Sequence, residues 1–506
     1  MGRTLAKHCG HTSKKSVVYK QTQIGRKYMN ILALESSTTS AKAMLYHTET
    51  GTFTVETKAY EFPAGTPIGK QDANIVFDTT MELGRKVSAG KQVDMIALVC
   101  TWHSVLLCDK NMQPATPLLQ WTFTGASEIC KKLREDEAYS LAYYQKTGCM
   151  VNATYPPFKL KLLREEGYRL EDYMVCDQGS YTMWRLTGNC VITDVTLSGG
   201  GMLNTHTRDY DDALNEELGI ARENLPEIVP YNTSYPLTEQ GAKLLGLQPG
   251  IQVIAAIADG ASNHVGSGAL APGIMTFSMG TSAAMRLRAD KPIIPDIPST
   301  WCYVTPQSWL TGAATAGCTN CVDWCKEQLF GKNATYAQVE AGFGNLQEKP
   351  AVFLPFLFGE RCPGWQDERM GGFYDLKPEH SAHDMYHAVL EGVLFNLYQC
   401  YQTLTDLVGT PHTIKLSGGI RHSAYWTQMC ADIFQCPIEL DPATQASTMG
   451  AVVIAMEKLG LIDDLLEMPF PKGEVIYPNA EHFARYQARF ERYLYWYTQT
   501  ATESAK

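Results

Sequence analysis

The chain has no run of consecutive apolar residues near the roughly 18 that a membrane-crossing helix requires, so a helical membrane protein is excluded. Two nucleotide-binding signatures are also missing. There is no GxxxxGKS/T, and no GxGxxG follows an apolar run, which leaves neither a P-loop nor a dinucleotide fingerprint. LSGG occurs twice, at 197–200 and 416–419, but without a P-loop a transporter-type ATPase is ruled out. Charged residues are sparse, at 19%, and Lys and Arg (43) are outnumbered by Asp and Glu (53). Seven of the basic residues lie within 1–28, which holds no acid, so the −10 of the whole chain becomes about −17 beyond it. A body that acidic repels a phosphate backbone, and nucleic acid is excluded as a partner. Cysteines number 15, an odd count, and no apolar signal core precedes the first strand pattern. Free thiols in a reducing, cytoplasmic setting are expected. Residues 1–28 are basic and contain Ser and Thr, loosely like a transit peptide; the plainer expectation is a disordered tail, or upstream sequence ahead of a start at Met29.

What the chain does have is length and apolar content, 506 residues and 45%, enough for two large cores. "ILALESSTTSAKAMLY" (31–46) is an apolar run, a turn of hydroxyls with a carboxylate, and a second apolar run. "IMTFSMGTSAAMRL" (274–287) repeats it about half the chain later, as a duplicated domain would. The boundary is expected around "LGLQPGIQ", giving domains 29–252 and 253–506. Strands are expected at 94–100, 251–258 and 412–418, and helices at 126–148, 173–188, 380–407 and along the tail with Phe483, Tyr486, Phe490, Tyr493 and Tyr497. The class is α/β.

Turns rich in Thr, Ser and Gly aim backbone N–H groups and hydroxyls at one point, which suits phosphate oxygens. Four follow apolar runs: 35–40, 279–282, 311–317 and 417–419. Asp259, after "IQVIAAIA", is placed to take a proton from a substrate hydroxyl; local sequence alone favours a helix cap or turn residue instead, and the neighbouring motifs decide. Cys318, Cys321 and Cys325 have helical spacing but no second ligand cluster, and read as buried thiols. His380, His383 and His387 read as one face of a helix start.

Together these segments resemble the FGGY carbohydrate kinases. The resemblance runs from about 29 to 498 and rests on "GGFYDLKPEHSAHDMYHAVLEGV" (371–393), "PFLFGERCPGW" (355–365), "KLSGGIRHSAYWTQMCADIFQCPIE" (415–439), "TYPPFKLKLLREE" (154–166) and "WRLTGNCVITD" (184–194). "WHSVLLCD" and "YPPFKL" are most similar to the gluconate kinases of that family. The resemblance implies a duplicated two-domain fold of the actin and hexokinase (ribonuclease H-like) type, ATP and magnesium as cofactors, and a small sugar or sugar acid as substrate. It implies a nucleotide-binding set of Thr38, Thr39, Ser40, Lys42, Gly280, Thr281, Gly312, Gly317, Gly418 and Gly419. Glu35 would lie near magnesium, Trp102, His103, Asp259 and Gly260 would meet the sugar, and Asp259 would be the catalytic base. A homodimer is the expected assembly.

Some positions depart from the family. Glu35 replaces Asp and Ser37 replaces Gly in the first turn, and Asp375 takes a usual Gly position. In "QWTFTGA" (120–126), Phe123 and Gly125 stand where an Asp and an Arg are usual. Loss of that Arg leads to the expectation of a pocket less selective for anions than in gluconate kinases, with Phe123 in its wall. Kinases of xylulose, ribulose or a polyol, or a non-catalytic sensor on the same fold, remain alternative readings.

Overall fold

In the computed structural model the described residues are 28–442 and 445–501. Of the basic segment 1–28, expected to lie outside the fold, residues 1–27 fall outside the described residues. Two mixed sheets form the centres of the two halves. In the first, the order is Ser234–Pro236, Gln252–Ala258, Met95–Cys100, Asn30–Ser36, Ser40–His47, Thr52–Ala59. The opening hairpin pairs Glu35 with Lys42 and Ser36 with Ala41, and Asn30–Ser36 runs parallel to Met95–Cys100. The second sheet repeats this plan: Ile274–Met279 pairs with Ala283–Ala289 as a hairpin, Ser308–Thr315 adds antiparallel outside it, and Thr413–Gly418 lies parallel on the other side. The strands Ile31–Leu34 and Met95–Cys100 are buried on both faces. That explains their unbroken apolar runs, because helices cover both sides of the sheet.

The sheet corrects the expected domain boundary. Gln252–Ala258 pairs in parallel with Met95–Cys100, so the first half extends past residue 252 and Asp259 follows one of its own strands. Two helices also differ from expectation. The segment 126–148 is two helices, Ser127–Arg134 and Glu137–Thr147, because the Asp136 side chain accepts the Tyr139 N–H (3.0 Å) and starts a new one. Residues 174–176 of the expected 173–188 helix form a strand instead, and the helix Gln178–Thr187 begins at an Asp177–Ser180 capping box. The long helix Ala382–Val408 opens with a Ser381–Asp384 capping box, and Ala480–Gln499 forms the tail. Cys318, Cys321 and Cys325 are buried.

The halves meet at a close helix crossing. Asp259–Gly266 packs on Ala446–Lys458, which also lies against the strands Asn30–Ser36 and Met95–Cys100. Glycines make that approach feasible: a Cβ on Gly266 would stand 1.9 Å from the Ala446 carbonyl oxygen, and one on Gly450 1.9 Å from that of Ser262. Ser262 Oγ donates to the Ser447 carbonyl at 2.6 Å. No helix among the described residues is long and apolar enough to cross a membrane.

Candidate active site

Parallel neighbours end together. Ser36 pairs with Cys100 and Cys100 with Ala258, so the first turn, Trp102–His103 and Asp259–Gly260 all leave the sheet at its carboxyl edge. Such an edge is where open α/β sheets place ligands. Here it opens into a cavity of about 260 Å³ that Thr38, Trp102, His103, Asp259 and Gly260 line together. Across it stand Ser278, Ser282, Arg286, Trp301 and Tyr303 of the second half, with Arg361.

Asp259 is the first helical residue after Ala258, which caps without a side chain. Its carboxylate accepts the N–H of Gly260 at 2.7 Å and that of Trp102 at 3.4 Å. Burial, followed by the charge of Glu35, pushes its pKa up to about 6, against the opposing pull of those N–H groups and Arg286. A carboxylate so poised is ionised at neutral pH yet basic enough to accept a proton.

His103 sits in the left-handed region, with φ 64°. Its Nδ1 donates to the Gly199 carbonyl at 2.6 Å, which leaves Nε2 as an acceptor. Burial, then the charges of Arg361 and Lys159, lower its pKa to about 3, so the ring is neutral. Beneath it the fully buried Lys159 donates to the carbonyls of His103 (2.7 Å) and Gln120 (2.8 Å), and burial drives its pKa far below the usual lysine range. Trp102 is fixed by its indole N–H on the Thr196 carbonyl (3.2 Å) and lies over Gly199 and Gly260, where a Cβ would strike its ring.

In the first turn Ser37 is not in the left-handed region, so glycine is not required there, and its hydroxyl closes the turn on the Ser40 carbonyl at 2.7 Å. The Trp121 indole donates to Thr38 Oγ1 (2.9 Å) and Gln71 to the Thr38 carbonyl (2.6 Å). Thr39 is exposed and Ser40 begins the second strand; neither lines the cavity. Lys42 faces Glu35 at 3.2 Å, and Ser447 donates to the same Glu35 oxygen at 2.7 Å. Asp375 adopts a left-handed φ of 55° and grips Arg492 through both oxygens, at 2.6 and 2.7 Å.

The remaining expected residues divide. Met279 pairs with Gly418, so the turns at Gly280–Thr281 and Gly418–Gly419 lie side by side at one edge of the second sheet. A Cβ on Gly418 would stand 2.2 Å from the Met279 carbonyl oxygen, whereas one on Gly280 would meet the Ser282 carbonyl oxygen only at 3.9 Å. Gly312 and Gly317 are different: the space before Gly312 is filled by the Trp301 ring, and that before Gly317 by the Pro355 carbonyl. Glycine there lets the chain pack on itself.

The expected sugar side also needs correction. Phe123 lies outside the cavity, 8% exposed, and a Cβ on Gly125 would come 2.3 Å from its ring. Trp121 takes the place in the wall that was expected of Phe123. Guanidinium groups are present after all, supplied by Arg286 and Arg361. Neither was expected as a site residue: Arg286 lies on the less buried face of its strand, opposite Ala283, Met285, Leu287 and Ala289, and Arg361 lies in the quoted 355–365 segment. Glu360 next to it is structural: 1% exposed, it binds Arg369 (2.8 Å) and Tyr497 (2.6 Å).

Comparison with known proteins follows the same lines. The model of the FGGY family of carbohydrate kinases, N-terminal domain, matches residues 30–266, and that of its C-terminal domain matches 275–458. Gluconokinase of Bacillus subtilis is 26% identical over 462 residues, 86% of this chain and 88% of its own. Xylulose kinase of Escherichia coli is 25% identical, over 81% of this chain and 85% of its own. The crystal structure of gluconate kinase from Lactobacillus acidophilus superimposes with a TM-score of 0.89 at 26% identity, covering 94% of this chain and 99% of that one.

Proposed function

The chain belongs to the FGGY family of carbohydrate kinases, which use ATP, and from that premise we propose that it phosphorylates a hydroxyl of a small sugar or sugar acid, in the manner of a gluconokinase. The observation that carries this is Asp259: a carboxylate at the end of a buried strand, inside the cavity, with its pKa raised to about 6. It takes the hydroxyl proton as the phosphoryl group moves. Neutral His103 accepts a hydrogen bond from a second hydroxyl through Nε2, and Trp102 supplies a flat apolar wall. The turns at Thr38, Gly280–Thr281 and Gly418–Gly419 offer N–H and hydroxyl donors for the nucleotide phosphates.

Magnesium fits this arrangement. Glu35 is 3% exposed and near enough to Asp259 that its charge helps to raise the Asp259 pKa, a repulsion that a divalent cation relieves. Such an ion takes one or two carboxylates and completes its shell on phosphates and water, where it neutralises phosphate charge. Glu35 would hold it, with Lys42 and Ser447 fixing the carboxylate.

The test is coupled ADP release with gluconate, other aldonates, xylulose, ribulose and glycerol as acceptors. Sugar-dependent release is expected with at least one. ATP turnover indifferent to every acceptor would instead favour a sensor, the reading that Glu35 and the uncharged positions 123 and 125 invite.

A further inference from the structure

Fourteen cysteines lie among the described residues, and thirteen of them are buried. Cys190 alone is partly exposed, and its sulfur touches a second thiol, that of Cys176, at 3.7 Å. The two flank one helix. Cys176 ends the strand Met174–Cys176, the helix Gln178–Thr187 follows, and Gly188, with φ 75°, closes it. The chain then returns, so that Cys190, just before the strand Val191–Thr193, reaches Cys176.

The partners differ in freedom. Cys176 is 2% exposed and held in a ladder, paired with Leu106 of the strand Leu106–Cys108. Cys190 belongs to Gly188–Cys190, none of which is buried. A disulfide needs the sulfurs at about 2.05 Å, and the movement that brings them there falls on the Cys190 side. Reactivity divides the same way. The neighbouring thiols Cys108 and Cys190, and then burial, push the Cys176 pKa well up, so Cys176 is the poorer first nucleophile. Cys108 is the other thiol beside Cys176, but it is buried and out of reach of an oxidant in solution.

We propose that Cys190 and Cys176 form an oxidation site for hydroperoxides that closes to a reversible disulfide. Cys190, having lost its proton to solvent, attacks the terminal peroxide oxygen. The O–O bond breaks, Cys190 becomes a sulfenic acid, and the departing alkoxide or hydroxide regains a proton. The Cys176 sulfur then attacks the Cys190 sulfur: the S–O bond breaks, the S–S bond forms, and the hydroxyl leaves with the Cys176 proton as water. Two thiols are oxidised and one peroxide is reduced. Contact between the sulfurs matters because it traps the sulfenic acid before a second peroxide carries it to the irreversible sulfinic acid.

Trypsin cuts between the two at Arg185, placing Cys176 in peptide 170–185, Cys190 in 186–208 and Cys108 in 92–110. Hydrogen peroxide added to the native full chain should join 170–185 to 186–208, at the summed mass less two hydrogens. Alkylation of Cys190 should fall at least about tenfold, and dithiothreitol should reverse both changes. Cys176→Ser should instead send Cys190 on to the sulfinic or sulfonic acid, and Cys190→Ser should leave Cys176 reduced. The wild-type map and Cys190→Ser, at the partly exposed position, decide the matter if Cys176→Ser does not fold. Cys190 left unoxidised, Cys190 overoxidised in the wild type, or a bridge from 170–185 to 92–110 overturns the inference.

Discussion

Asp259 is the proposed base, and its environment sets how it would work. Burial is the larger cause of its raised pKa and the Glu35 charge the next, while two backbone N–H groups and Arg286 hold it from rising further. A base must be ionised to act, so kcat/KM should climb as pH rises through about 6 and then level off. His103 adds no second limb in that range, since it is already neutral above about 3. Asp259→Asn should lower kcat by at least about 10²-fold and leave the KM for ATP nearly unchanged. Turnover near wild type in that variant, or an acid limb that persists in it, would remove Asp259 from the role. As a stability matter the sign is opposite: a carboxyl raised in the folded state favours folding below its unfolded pKa and loses that contribution as pH rises through about 6. The site therefore carries a stability cost at the pH where its base is ready.

At the scale of elements, the crossing of Asp259–Gly266 with Ala446–Lys458 is the feature most exposed to a small change. It carries Asp259 at one helix end, and Ser447, near the start of the other helix, holds Glu35. Gly450→Ala puts a methyl group where the Ser262 carbonyl oxygen would be 1.9 Å away, so the helices must separate. Overpacking of this kind costs about 1–3 kcal/mol, and the separation shifts Asp259 relative to Ser447, which holds Glu35. A lower melting temperature by circular dichroism together with a reduced kcat is expected. A variant that melts as wild type does would show that the helices are free to part. The capping boxes at Asp177 and Ser381, by contrast, act locally and keep their helices in place whatever the cleft does.

For the molecule as a whole, the proposed nucleotide turns at Gly280 and Gly418 belong to one sheet and Asp259 to the end of a strand in the other. Transfer needs the two edges to come together around both ligands and to exclude water, which otherwise competes for the phosphoryl group. The radius of gyration from small-angle scattering should therefore fall when sugar and a non-hydrolysable ATP analogue are added together, and fall less with either alone. No change with both present would mean that the halves are already closed in the free protein.

Much of this was legible in residue order. Strands buried on both faces read as apolar runs, because no side of them meets water: 94–100, 251–258 and 412–418 match the structure to within a residue. The repeated hairpin revealed the duplication, since a turn and its flanking strands are local. Asp259 and His103 were found through motifs that sit on single strand ends. What a linear pattern does not carry is which distant segments share a cavity. The boundary was misplaced because Gln252–Ala258 reads alike in either sheet, and only its pairing with Met95–Cys100 assigns it. Phe123 looked like a wall residue until its ring was found packed under Gly125. The charge that seemed lost at Gly125 is supplied by Arg286 and Arg361, each more than 150 residues away in sequence. Sequence alone determined the strands and the repeat, because each depends on neighbours along the chain. Tertiary structure decided the electrostatics of the cleft, because charges act through space and take no account of sequence separation.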